Sequence, residues 1–273
     1  MNTTRASSTL MPAARGLGSL GLFLRADAWT LREWVVGRPC CVASVCVCFI
    51  VAGAGAYGAT MGSWRDGWQA VYTGLKLPLV ILLTTLGNGI LNGVLAPLLG
   101  LNVTFRQSLV LVLISFAMAS AILAGLAPVA LFLVWNTPPL SILTRLSSPE
   151  YGFLQLALAL FIASAGIVGN LHLLRLLRQW TNNPAIARNV LLAWLAVNLF
   201  LGSQISWVLR PFIWDPARPV EFIGRQYFHG SFYETIFEAA RRLLVRGVTP
   251  GEEILEIEQR PGPKGPRSGP KDG

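Results

Sequence analysis

Thr84, Asn88 and Asn92 recur at i, i+4 and i+8, which puts three hydrogen-bonding side chains on one face of a helix. They lie inside a long apolar run, where an unpaired amide is costly and polar groups turn toward other helices or a wet cavity. Two chemistries fit that face. Together with Gln204 it could line a path for an uncharged polar solute. Alternatively it could bond across to neighbouring helices, at about 0.6 kcal/mol per bond.

The densest polar cluster is Gly202-Ser-Gln-Ile-Ser-Trp-Val-Leu-Arg-Pro-Phe212. Trp207 suits the aromatic belt of a membrane, and Arg210 can snorkel to bond the last carbonyls before Pro211 stops the helix. The pair Trp207 and Arg210 is therefore a candidate interface anchor, as a helix exit or as a contact for a partner or lipid headgroup. His172 and Asn170 fall beside Arg175, where a lone imidazole could sense pH or simply favour a helix C-terminus. His229 has no evident ligand partner. The four cysteines, Cys40, Cys41, Cys46 and Cys48, recur at short spacing, but no second half-site of Cys or His accompanies them. They read as small apolar residues opening a helix, with acylation of Cys40 and Cys41 as a lesser alternative. No catalytic, cofactor-binding or metal-binding residue is expected.

The elements that carry these residues follow from a gap in the acids. Between Asp66 and Asp215 the one carboxylate is Glu150, and that stretch holds most of the long apolar runs. Only 13% of the 273 residues are charged, about half the share in soluble domains. The expected fold is an all-α, polytopic membrane bundle of about five transmembrane helices, with a C-terminal amphipathic helix. Residues 1–39 form a flank: 1–18 read as disordered, and 19–36 as a short amphipathic helix in the interface with Trp29 and Trp34 at headgroup depth. The spans are expected at about 40–61, 77–99, 108–135, 152–174 and 190–209. The first is read as a retained span, because its lead is too long for an ordinary secretory leader. The third exceeds the roughly 20 residues needed to cross, so Gly125 and Pro128 are expected to kink or divide it. Glu150 is placed in the loop before the fourth.

Residues 210–259 read as an extended, Pro-containing segment followed by an amphipathic helix that opens on the capping box Ser231-Phe-Tyr-Glu234. Residues 260–273 read as a disordered tail. Small residues recur on every span, among them Gly58–Gly62, Gly89–Gly93, Ala165–Gly169 and Asn198–Gly202–Ser206, as helices packing closely in lipid require. The net charge of +9 does not point to nucleic acid, because Lys76, Arg106, Arg145, Arg175, Arg178, Arg188 and Arg210 sit at the edges of apolar runs. There cations set topology and meet anionic lipid. Arg175, Arg178 and Arg188 mark one linker as cytoplasmic. That places the N-terminus inside and, with five spans, the C-terminus outside, against the pull of Arg210, Arg218 and Arg225.

The spans, Lys76-Leu-Pro78, and Leu99-Gly100 followed by Phe105-Arg106-Gln107 resemble the bacterial branch of the Yip-type membrane proteins across roughly 65–215. The resemblance implies a multi-pass protein of a bacterial inner membrane. Eukaryotic members interact with Rab GTPases in vesicle trafficking, but their Asp-Leu-Tyr motif does not precede the first span here. Gln204–Phe212 and the stretch after it are similar to uncharacterised bacterial membrane proteins, which implies no mechanism. With no acid in any span, no phosphate loop and no HExxH, the chain reads as non-enzymatic. A scaffold or adaptor is expected, with the lipid bilayer and a membrane-protein partner or second copy as partners. The alternative is a small-solute channel or transporter lined by Thr84, Asn88, Asn92 and Gln204.

Overall fold

The computed structural model describes residues 28–138, 149–181, 183–209 and 222. All of its regular structure is helical: α1 Ala28–Gly37, α2 Pro39–Gly62, α3 Gly67–Leu98, α4 Phe105–Asn136, α5 Pro149–Leu177 and α6 Pro184–Leu209. Five of these, α2 to α6, are long and apolar enough to cross a membrane. Arg210, the stretch after Ser231 expected as an amphipathic helix, and residues 1–18 and 260–273, expected as disordered, lie outside the described residues.

The outward faces identify the solvent as hydrocarbon. On α3, Leu86, Ile90, Val94 and Leu98 point outward, Leu98 being 75% exposed, while Thr84, Asn88 and Asn92 are buried. A helix in water buries its apolar stripe and wets its polar one. This one does the reverse, as a helix in lipid does.

Helix ends are set by local chemistry. Asp66 caps α3 by accepting from the Trp68 amide at 3.2 Å. Hence α3 begins about ten residues before the expected start at 77. Lys76-Leu-Pro78 is not the lead-in to the span but lies inside the helix, and Lys76 is buried. Its ammonium stands 5.5 Å from the ring centroid of Phe222, which also meets Tyr72 edge-on. At the other end of α3, Gly100 takes φ +85°, and the Leu101 amide donates back to the Ala96 carbonyl at 2.9 Å. This left-handed glycine stop is followed by a capping box. Thr104 accepts from the Gln107 amide, and the Gln107 side chain accepts from the Thr104 amide. Asn183 caps α6 by accepting from the Ala185 amide, with Pro184 at the first helical position.

α4 runs unbroken through Gly125 and Pro128. Of the two outcomes expected there, a kink or a division, division does not occur, which keeps the spans at five. Glu150 belongs to the first turn of α5 instead of the preceding loop, yet falls before the crossing segment Gly152–Leu177.

Glycines fix which helices touch. A Cβ at Gly58 would lie 2.6 Å from the Thr73 carbonyl oxygen, and one at Gly62 would meet the Gln69 carbonyl. The Gly58–Gly62 face of α2 thus packs antiparallel on the backbone of α3. α2 is widened into a π-helical turn at Ile50–Ala54, where Gly53 meets the Ser120 backbone of α4. Gly89 and Gly93 receive Leu109 and Phe105 of α4, and Gly169 of α5 sits against Ser115. The Tyr57 hydroxyl ties α2 to α5 by donating to the Leu158 carbonyl at 2.8 Å. α4 is central, with 56% of its most apolar window buried, against 22% for α5 and 17% for α6.

These directions collect the cations. Arg32, Arg38, Arg106, Arg175, Arg178 and Arg188 all fall at the end where α2 begins and α3 ends. At that end α1 docks on the bundle. Leu31 and Val35, one turn apart, are buried with Leu173, Leu176 and Leu177, and Arg32 lies 5.5 Å over the Trp180 ring. Of the stretch 19–36 expected as an amphipathic helix, 19–27 lie outside the described residues and helix forms over Ala28–Gly37; its two tryptophans divide, Trp29 being exposed and Trp34 packing on the core.

Candidate functional site

The polar face of α3 meets α6 in an antiparallel register. Asn88 donates its amide to the Asn198 carboxamide oxygen. One turn away, a Cβ at Gly202 would lie 3.5 Å from the Thr84 methyl. Continuing that register by one turn the other way sets Asn92 level with Trp194. Asn88, Asn92 and Trp194 are fully buried, and Thr84 nearly so. A methyl at 202 would just reach ordinary van der Waals contact with Thr84, so the approach tolerates alanine there.

The face is polar but incompletely paired. Both polar atoms of the Asn92 side chain, the Asn88 carbonyl oxygen, the Thr84 hydroxyl and the Trp194 indole nitrogen are buried without a hydrogen-bond partner. Unpaired buried groups of this kind cost about 1–3 kcal/mol each, so the α3–α6 seam is the strained polar centre of the bundle.

Of the four residues expected to form one polar lining, Thr84, Asn88 and Asn92 do share the seam. Gln204 does not join them. At 100° per residue it stands about 120° around α6 from Asn198, and it is half-buried. Its carbonyl oxygen is buried without a partner on that other face. Trp207 is half-buried in the last turn of α6, at the end expected for an interface anchor. Its proposed companion Arg210 lies outside the described residues.

Beside the seam a cavity of about 550 Å³ opens between α5 and α6, floored by α3 and α4. Its walls are mainly apolar, including Ile81, Phe116, Ile162, Leu195 and Leu199. Neutral polar side chains break the apolar surface: Thr84, Ser115, Asn170, Asn198 and Ser206. Asn170 holds itself in place by donating to the Gly166 carbonyl at 2.8 Å. Sequence reasoning offered no signal for this cavity, because its lining is assembled from four different helices. Asn198 was visible only as part of a small-residue face, since its partner lies 110 residues away.

The cysteines do not converge with other ligands. Cys46 is buried in the α2 core and Cys40, Cys41 and Cys48 are exposed. No group of three or more His, Cys, Asp or Glu that could hold a metal forms among the described residues. His172 is half-buried on α5.

No protein family matches the chain, and neither a curated protein nor a solved structure matches it. Its reading therefore rests on its own geometry.

Proposed function

We propose that this multi-pass membrane protein is a non-enzymatic scaffold or adaptor rather than a conduit. The observation that carries this reading is the closure of the polar face. The amides of Asn88 and Asn92, which would have to line a solute path, are buried between two packed helices. The neighbouring cavity is walled mainly by hydrocarbon, which suits the passage of polar solutes poorly. The absence of any Asp or Glu from the five crossing segments supports the same reading against proton-coupled transport and acid–base catalysis.

α5 and α6 are the crossing helices least buried by the rest of the bundle, so a membrane-protein partner or a second copy would meet these two. The Yip-type resemblance and residence in a bacterial inner membrane belong to this proposal. Purified protein in liposomes should pass no small neutral solute, and mild-detergent purification should bring a stoichiometric partner. Solute flux that disappears in Asn88→Leu or Asn92→Leu would replace the scaffold with the channel reading.

A further inference from the structure

The short helix α1 is tethered at headgroup depth. Arg38 alone separates its last residue, Gly37, from Pro39, which opens the crossing helix α2. The 24 residues of α2 rise about 36 Å, against a hydrocarbon core of about 30 Å. With the polar turn before Asp66 at its other end, Pro39 lies about 6 Å or less outside the hydrocarbon. The headgroup layer is itself about 5–7 Å deep on each side. The free face of α1 therefore meets lipid headgroups before any other partner.

That face carries two kinds of group. Trp29, Arg32 and Val36 fall at i, i+3 and i+7 and are all exposed, while Leu31 and Val35 on the opposite face are buried. Apolar side chains beside a guanidinium suit a boundary between charged headgroups and acyl chains. Arg38 follows α1, and Arg175 and Arg178 are exposed at the end of α5, on which α1 docks. Four guanidiniums thus face one carboxylate on these elements, Glu33. Arg32 is also oriented. It lies 5.5 Å from the centroid of the Trp180 ring, and the Trp180 amide donates to the Leu177 carbonyl at 3.0 Å. Stacking uses the flat face of the guanidinium and leaves its edge, a fork of N–H groups that matches two phosphate oxygens. Arg178 is two residues from that ring.

We infer that α1 and the end of α5 form a binding site for the headgroup of an anionic phospholipid. The phosphate pairs with Arg32 and Arg178 beside Trp180, and Trp29 and Val36 rest on the first carbons of the acyl chains. A zwitterionic lipid lacks the net negative charge that the guanidiniums call for, and a free phosphate lacks the chains. The site goes beyond the scaffold reading and does not depend on it: co-purification or flux decides that reading, and lipid titration decides this one.

The test titrates the full chain, in a mild detergent, with short-chain phosphatidylglycerol and reads Tm at each concentration. A saturable rise is expected, because the lipid binds the folded state. Phosphatidylcholine of the same chain length and inorganic phosphate should give no comparable rise. Arg32 and Arg178 are exposed, so their variants should fold. Arg32→Gln and Arg178→Gln should each weaken the apparent affinity about fivefold. Arg32→Lys keeps the charge but loses the planar fork and the stacking, and should weaken it about threefold. Arg188→Gln removes the same charge from the same end, but on α6, and should weaken it less than about twofold. The inference is overturned if phosphatidylcholine or inorganic phosphate raises Tm as phosphatidylglycerol does. It is likewise overturned if Arg188→Gln costs as much as Arg32→Gln, since binding would then follow the overall charge of that end.

Discussion

Replacing Gly58 by alanine is the sharpest test of how α2 and α3 pack. The added Cβ would lie 2.6 Å from the Thr73 carbonyl oxygen, 3.1 Å from its carbon and 3.2 Å from the Gly74 Cα, whereas ordinary contact begins near 3.4 Å. All three obstacles are backbone, so no side chain can swing aside. The helices must separate locally by up to about 0.8 Å, the difference between 2.6 and 3.4 Å. Overpacking of this kind costs about 1–3 kcal/mol. Alanine returns roughly 0.5–1 kcal/mol through its better helix propensity. The net loss is about 1–2 kcal/mol, or some 2–8 °C in Tm for a chain of this size. Gly166→Ala is the control: its Cβ meets nothing within 4 Å, so Tm should hold or rise. Thermal unfolding of the two variants in one detergent compares them directly. An unchanged or raised Tm for Gly58→Ala would refute the close approach of α2 to α3.

Other perturbations address the polar seam and the helix ends. Asn92→Leu removes an amide with no partner on either atom and should raise stability by about 1–3 kcal/mol in a thermal melt; a fall would mean that Asn92 has a partner. A double-mutant cycle between Asn88→Leu and Asn198→Leu should give a coupling near 0.6 kcal/mol and no more than about 1.7, and zero coupling would break the pair. Thr104→Ala dismantles the capping box at the start of α4, with a loss of about 1 kcal/mol and faster hydrogen exchange at residues 105–108. Gly100→Ala forces a side chain into φ +85° and should cost about 1–2 kcal/mol, read from the same melts.

Hydropathy made the five crossing helices legible, because hydrocarbon solvent imposes long apolar runs whatever the tertiary arrangement. It was a poor guide to where they end. Polar Gln69 and Thr73, buried Lys76 and Pro78 look like a boundary in composition, yet Asp66 caps the helix ahead of them. Gln69 donates to Thr73 at 3.1 Å, and the glycines of α2 give that polar turn a packed neighbour. Pro128 reads as a breaker by the rules of soluble helices, but lipid offers no water to stabilise a break. The polar face on α3 was visible as spacing. Its partner was not, because Asn88 and Asn198 meet only once α3 and α6 are adjacent. Gln204 was grouped with that face by composition, and only the helical phase separates them. The cavity has no local signature, since Thr84, Ser115, Asn170 and Asn198 come from four different helices.

The central claim, five crossings with an undivided α4, is tested most directly by cysteine accessibility. The four native cysteines are replaced by alanine, and single cysteines are placed at Ser63 and Thr181. Three spans, α3, α4 and α5, separate these positions, so they must lie on opposite sides. The cation-rich end carries Thr181, which should face the cytoplasm. In intact cells a membrane-impermeant maleimide should label Ser63→Cys, and should label Thr181→Cys only after permeabilisation. Labelling of both positions from the same side would contradict the five-span bundle.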